Sequence, residues 1–191
     1  MNAPEFFAEH YPNKNISKEL QKLAEQQQVA WEAESVHPQL SPSTVNADEL
    51  VCRPLTSPTH FDLGSGIVKP TAFDDAANKG LSVDRLSLNG LHHILGKADA
   101  RARQYNASGD KPETREVIGH IEFCVSEVRS VFVKLESSED PSRRGLGIYD
   151  TALEGEPEHA DICQIAPNAQ GGRSARSQVF TLAKSKFVRR R

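Results

Sequence analysis

Residues 116–125 read Glu116-Val117-Ile118-Gly119-His120-Ile121-Glu122-Phe123-Cys124-Val125. Gly119, Ile121, Phe123 and Val125 alternate with His120, Glu122 and Cys124, the period of a strand with one buried face. The first set is expected to face the core and the second a part-polar surface. Upstream, Leu91, Ile94, Leu95, Ala98, Ala102 and Tyr105 recur at helical spacing, which predicts a helix over 89–105. Its last turns carry Lys97, Arg101 and Arg103, favourable near a helix C-terminus, and Asn106–Pro112 breaks it. Downstream, Val131, Val133 and Leu135 suggest a strand, and Leu146–Leu153 another. Pro157 suits the first position of a helix through His159, Ile162 and Ile165, with Glu154, Glu156 and Glu158 at its positive end. Val179, Leu182, Ala183 and Phe187 imply a closing helix.

Before the alternating stretch the apolar runs are short. Leu50–Leu55 reads as a strand ended by Pro54 and Pro58, Gly64-Ser65-Gly66 as a turn, and Ile67-Val68 as a short strand. Asp74–Gly80 reads as a loop or one helical turn and Leu81-Ser82-Val83 as a further strand. Short strands interleaved irregularly with helices predict an α+β fold with a small mixed or antiparallel sheet. At the N-terminus, Ser17 suits an N-cap, and Ile16, Leu20, Leu23, Ala30 and Trp31 fall near one face of a helix over 17–34. The polar stretch Ser35–Asp48 reads as a linker. The expected organisation is therefore a helix with linker over 1–48, an α+β domain over 49–170 and a basic segment over 171–191.

The 191 residues hold 23 Lys plus Arg against 26 Asp plus Glu. Seven of the bases (Arg173, Arg176, Lys184, Lys186, Arg189, Arg190, Arg191) lie in the last 21 residues with no acid among them. A cationic tail on an anionic body suits nucleic acid or its own acidic surface. No stretch has the roughly 18 apolar residues of a membrane span, which excludes a membrane-embedded protein. The acidic start MNAPEFFAEHYPNK lacks the apolar core of a signal peptide. Three cysteines without a CxxC pair fit a reducing compartment, so a cytoplasmic location is expected.

Chemistry is sparsely marked. Walker, GxGxxG, HExxH and GxSxG patterns are absent. His120, Glu122 and Cys124 share one strand face, yet zinc needs three or four converging groups and the spacing shows no such set. No metal or bound cofactor is expected. His159 and Asp161 would diverge on a helix. Leu81 and Val83 should be buried, with Ser82, Asp84 and Arg85 reaching the other face and Asp84 pairing Arg85 at the following turn.

Two resemblances carry functional expectations. Arg53 on an early strand, Ser82 on a later one, and then an acid (Glu154 or Glu156 of a Glu-x-Glu pair, or Glu122 or Glu127) resemble the order in ADP-ribosyltransferases of the Arg-Ser-Glu type. The resemblance implies NAD as substrate, Arg53 on its phosphate, Ser82 in the site wall and the Glu stabilising the ribosyl cation. It also implies an Arg53 whose removal leaves the unliganded fold within about 1 kcal/mol, as for a surface change. The ordered elements Arg53-Pro54, Ala72-Phe73, Gly80-Leu81-Ser82-Val83-Asp84-Arg85, Glu127 and His159-Ala160-Asp161-Ile162 are similar to small bacterial proteins without established activity. That likeness implies one bacterial domain. The leading expectation is a non-catalytic interaction protein of a bacterial operon, of stress, toxin–antitoxin or defence type. It would engage a protein partner, a second copy through Trp31, or nucleic acid through Arg189, Arg190 and Arg191. The nucleotide-directed transferase is the alternative.

Overall fold

A computed structural model describes residues 1–11, 13, 15–109, 113–134, 142–167 and 175–190. Helices α1 (Ala3–His10), α2 (Ile16–Leu20) and α3 (Glu25–Trp31) precede strands β1 (Leu50–Ser57), β2 (Phe61–Asp62) and β3 (Ile67–Val68). A 3-10 helix over Pro70–Ala77 leads into β4 (Leu81–Arg85), helix α4 (Leu91–Ala107), β5 (Glu116–Cys124) and helix α5 (Val125–Arg129). Strands β6 (Phe132–Lys134), β7 (Ser142–Arg144), β8 (Leu146–Asp150) and β9 (His159–Gln164) follow, then helix α6 (Ala175–Ala183) and β10 (Phe187–Arg189). The fold is α+β. Its main sheet is antiparallel in the order β10-β5-β1-β4-β9-β8, with β2–β3 and β6–β7 as separate hairpins.

Alternation sorts the sheet into two faces. Val51, Leu55, Leu81, Val83, Ile121, Phe123, Ile148, Ala160 and Ile162 pack with Phe73 of the 3-10 helix, Val125 and Val128 of α5, and Val179 of α6. This is the larger core, and the alternating stretch at 116–124 supplies its centre as expected. The opposite face carries Tyr149 and Cys163, on which Phe6, Phe7, Ile16, Leu20 and Trp31 form a second core. The rest of that face, toward β1, lies beneath α4.

Three expected elements are corrected. Residues 157–165 form no helix: His159–Gln164 is the buried strand β9 between β4 and β8. His159 and Asp161 alternate with Ala160 and Ile162, but the run is short, and Pro157 with the preceding acids mimicked a helix start. The closing helix stops at Ala183, and Phe187 begins the edge strand β10 on β5. Gly119 permits that pairing, since a Cβ there would overlap the Val188 carbonyl and the Phe187 ring. The helix over 17–34 is two short helices, α2 and α3. Ser17 is buried and donates to the Ala76 carbonyl at 2.8 Å instead of capping.

The expected linker is packed. Val36 N–H donates to the Asp150 carbonyl at 3.0 Å, and Val45 is buried in the main core. Arg85, 0% exposed, donates to Glu49 through Nε at 2.8 Å and Nη2 at 2.7 Å, and to the Ser43 and Thr44 carbonyls. Asp84 and Arg85 therefore do not pair; neighbours in a strand face opposite sides. Trp31, expected as a partner contact, is 3% exposed and lies 5.0 Å from the Phe6 ring. Among the described residues no helix is long and apolar enough to cross a membrane. Trp31→Ala is expected to lower unfolding free energy by about 3–5 kcal/mol, the usual cost of deleting a buried aromatic, measured by denaturant titration. An unchanged midpoint would show that the N-terminal helices contribute nothing to the core.

Candidate functional site

The pairing of β4 with β9 sets Ser82 opposite Asp161 and Asp84 opposite His159; β1 adds Cys52 opposite Asp84. Opposed residues of an antiparallel pair share a face, so these polar groups gather on the face beneath α4. A cavity of about 210 Å³ separates that face from the helix. Arg53, Ser82, Asp84 and His159 line its floor, and His60 and Arg115 its sides. The roof is one stripe of α4: Ile94, Ala98 and Ala102 at spacing four, with Lys97 and Arg101 beside them.

Among the described residues four cations and one acid line this space. Lys97 donates to Asp84 at 2.7 Å and also to Glu158, with Glu156 at 3.7 Å. Desolvation works to lower the Lys97 ammonium, but the bonds to Asp84 and Glu158 outweigh it and hold the group above its ordinary value. Arg101 pairs with Glu156 at the rim. Arg53 and Arg115 differ from both: among the described residues neither has a carboxylate within 4.0 Å. The Nε atom of each is buried without a hydrogen-bond partner. The Arg115 guanidinium lies 3.6 Å from the centre of the Tyr105 ring.

Arg53 sits where the β1–β4 ladder ends, after Val51↔Arg85 and Cys52↔Asp84. Its Nη1 donates to the Ser82 carbonyl at 2.7 Å and its Nη2 to the Ala72 carbonyl at 3.0 Å. The guanidinium thus replaces missing ladder bonds and ties β4 to the 3-10 helix. Burial pushes Arg53 down to about 10, against the opposing pull of Asp75, Asp161 and Asp84, so it is charged at neutral pH.

The two histidines are held differently. The Thr56 N–H donates to His60 Nδ1 at 3.2 Å, so that nitrogen carries the lone pair. Burial, then the charges of Arg53 and Arg115, push His60 down to about 3. His159 Nδ1 lies 3.0 Å from the Thr151 carbonyl oxygen, which only accepts, so Nδ1 carries the proton. Thr151 Oγ1 donates to Asp161 Oδ2 at 2.8 Å, and Tyr11 donates to the same oxygen at 3.0 Å. Burial and the Asp161 charge push the Tyr11 hydroxyl up, keeping it a donor. Ser82 Oγ donates more weakly to Asp161 Oδ1 at 3.4 Å. Gly80, at φ +93°, lets the chain pass Asp161; a Cβ there would stand 2.9 Å from the Asp161 Cβ.

Of the residues singled out in the sequence, Arg53, Ser82, Asp84 and His159 converge here, with Asp161 behind them. Glu154 is exposed, and Glu156 is held by Arg101 outside the lining. His120 pairs with Glu122 at 3.3 Å, Glu127 with Lys186, and Arg85 lies on the opposite face. Arg190 pairs with Asp99 at 2.7 Å and Arg176 with Asp74 at 3.1 Å, Arg189 is exposed, and Arg191 lies outside the described residues. Among the described residues no three His, Cys, Asp or Glu groups are placed to hold a metal ion. Lys97 and Arg101 were legible only as favourable charges late in a helix; His60 and Arg115 carried no signal. No protein-family model, curated protein or solved structure matches the chain.

The placement of Arg53 reverses the expectation that it is dispensable for the fold. Arg53→Ala is expected to cost about 2–3 kcal/mol, because two buried carbonyls lose their donors, read as a lower denaturation midpoint. The His60 position predicts a pH dependence. An unfolded imidazole takes up a proton below about pH 6.5, whereas the folded ring resists until about 3. Stability is therefore fully present above about pH 6.5 and is lost as pH falls toward 3. His60→Gln should remove the part of that loss seen between about pH 6.5 and pH 5, before carboxylates titrate; parallel curves for the two chains would refute the assignment.

Proposed function

We propose that this chain recognises a small phosphate-bearing molecule and holds its phosphate in the pocket beneath α4. One observation carries the reading: Arg53 and Arg115 line the same cavity as charged groups without a carboxylate partner, each with a buried, unpartnered Nε. Unpaired charge removed from water costs several kcal/mol, and an anion bridging the two guanidinium groups offsets that cost with charge-assisted hydrogen bonds. The apolar stripe Ile94, Ala98 and Ala102 opposes the cations and suits the uncharged part of such a ligand. At about 210 Å³ the cavity is below the roughly 300 Å³ at which small-molecule sites usually begin. It fits a phosphate with its adjoining atoms better than a whole dinucleotide such as NAD.

The transferase alternative is supported only in part. Arg53 and Ser82 meet, but Glu154 and Glu156 stand outside the cavity. What the Arg-Ser-Glu order supports is a phosphate-bearing ligand; among the described residues no glutamate lines the cavity. Of the contacts named for the interaction reading, Trp31 is in the core and Arg190 bonds Asp99, while Arg189 is exposed.

Thermal melts with inorganic phosphate and with a nucleoside monophosphate test the reading. A ligand bound only by the folded chain stabilises it by about 2.7 kcal/mol at a hundredfold excess over Kd, so a saturable rise in Tm is expected. Arg115→Gln should abolish the rise, and Arg189→Gln, at an exposed tail position, should not. Melts that ignore both ligands, or a rise lost only in the tail variant, would end the proposal.

A further inference from the structure

We infer that the pocket is built for a phosphate monoester, whose third free oxygen is met by a proton taken up at His159 Nε2. This rests on the phosphate reading above and adds the charge state of the ligand and the group that senses it. The geometry of His159 is the starting point. Its Nδ1 proton is committed to the Thr151 carbonyl, held in turn by the Thr151–Asp161–Tyr11 chain of hydrogen bonds. The ring is 4% exposed, and its remaining surface lines the cavity. Among the described residues Nε2 has neither a hydrogen-bond nor an ion-pair partner. It is a lone-pair nitrogen facing a space lined by cations.

The charges around the ring come from every element packed on it. Asp84 faces it from β4, Asp161 lies two residues along β9, and Glu156 and Glu158 precede it. Lys97 and Arg101 face it from α4, Arg53 from β1, and Arg115 and His60 from the cavity walls; Tyr11 closes the network behind Asp161. The four acids are all engaged: Asp84 and Glu158 by Lys97, Glu156 by Arg101 and Lys97, and Asp161 by the hydroxyls of Thr151, Tyr11 and Ser82. Among the described residues no acceptor stands at Nε2, and Arg53 and Arg115 line the same cavity.

An entering anion reverses this balance. A phosphate monoester presents three strong acceptor oxygens and close to two charges at neutral pH, whereas a diester presents two free oxygens and one charge. Arg53 and Arg115, with one charge each, serve two of the oxygens. The third oxygen requires another donor, and Nε2–H supplies it. The proton comes from solvent and resides between Nε2 and a phosphate oxygen, with no bond to phosphorus made or broken. Binding therefore strengthens as pH falls.

Calorimetry on the full chain tests this with sulfate, which stays a dianion with no proton of its own between about pH 8 and about pH 5.5, so any linked proton belongs to the protein. In two buffers of different ionisation enthalpy, wild type is expected to take up close to one proton per sulfate, and affinity to rise up to about tenfold per pH unit. His159→Asn keeps an N–H for the Thr151 carbonyl and deletes Nε2; it should bind more weakly, with no pH dependence. His60→Gln should retain the uptake. Methyl phosphate should bind and dimethyl phosphate should not. Sulfate binding without proton uptake in wild type overturns the inference and leaves the phosphate reading standing. So does uptake that survives in His159→Asn and disappears in His60→Gln, or equal affinity for the two methyl esters. The wild-type proton count decides the matter even if His159→Asn does not fold. Failure of sulfate, phosphate and methyl phosphate to bind wild type at any pH overturns both.

Discussion

The register of β4 on β9 is the constraint from which the rest follows. With Ser82 opposite Asp161 and Asp84 opposite His159, every polar side chain of these two strands except Arg85 and Gln164 falls on one face. A slip of one residue would turn the set into the core that holds Phe73 and Val128, leaving two aspartates and a histidine without partners in apolar surroundings. Gly80 at the start of β4 gives the close approach to Asp161 that this register needs. The same register aligns Leu81 and Val83 with Ile162 and Ala160, so the apolar core and the polar floor enforce one another.

Covering a polar sheet face requires an unusual roof. Helix α4 answers Asp84 with Lys97 and the Glu156 rim with Arg101, while Ile94, Ala98 and Ala102 stand over the gap. The helix does not fill the gap, because the β1–β4 ladder stops at Cys52↔Asp84 and Arg53 occupies the opening. The cavity is the space left by two strands that separate. The N-terminal helices seal the other half of the face, and Tyr11 reaches from them to Asp161. What looks like an appendage in the chain is therefore part of the site's support.

A second buried charge explains how the polar stretch before β1 becomes ordered. Arg85 is fully buried on the core face, and its guanidinium is satisfied by Glu49 and by the Ser43 and Thr44 carbonyls. Removing either member of a buried pair leaves the other uncompensated. The segment is thus held by electrostatics instead of by an apolar stripe, and hydrophobic periodicity does not report such an interaction.

Periodicity alone determined β5 and α4, because each records in its side chains which face meets the core; short apolar runs marked β1 and β4, Gly64-Ser65-Gly66 marked the β2–β3 turn, and β1 runs through Pro54 to Ser57. The order of residues along the chain, through the two resemblances, brought out Arg53, Ser82, Asp84, His159 and Asp161, though for roles that differ from their positions. Tertiary structure decided β9, whose short run follows Pro157 and three glutamates that locally match a helix start. It decided the pocket as well: His60, Lys97, Arg101 and Arg115 come from three separate segments, and nothing local in a chain encodes that convergence. Local patterns record which face of an element meets water; which elements face each other is set by register and by where a ladder ends.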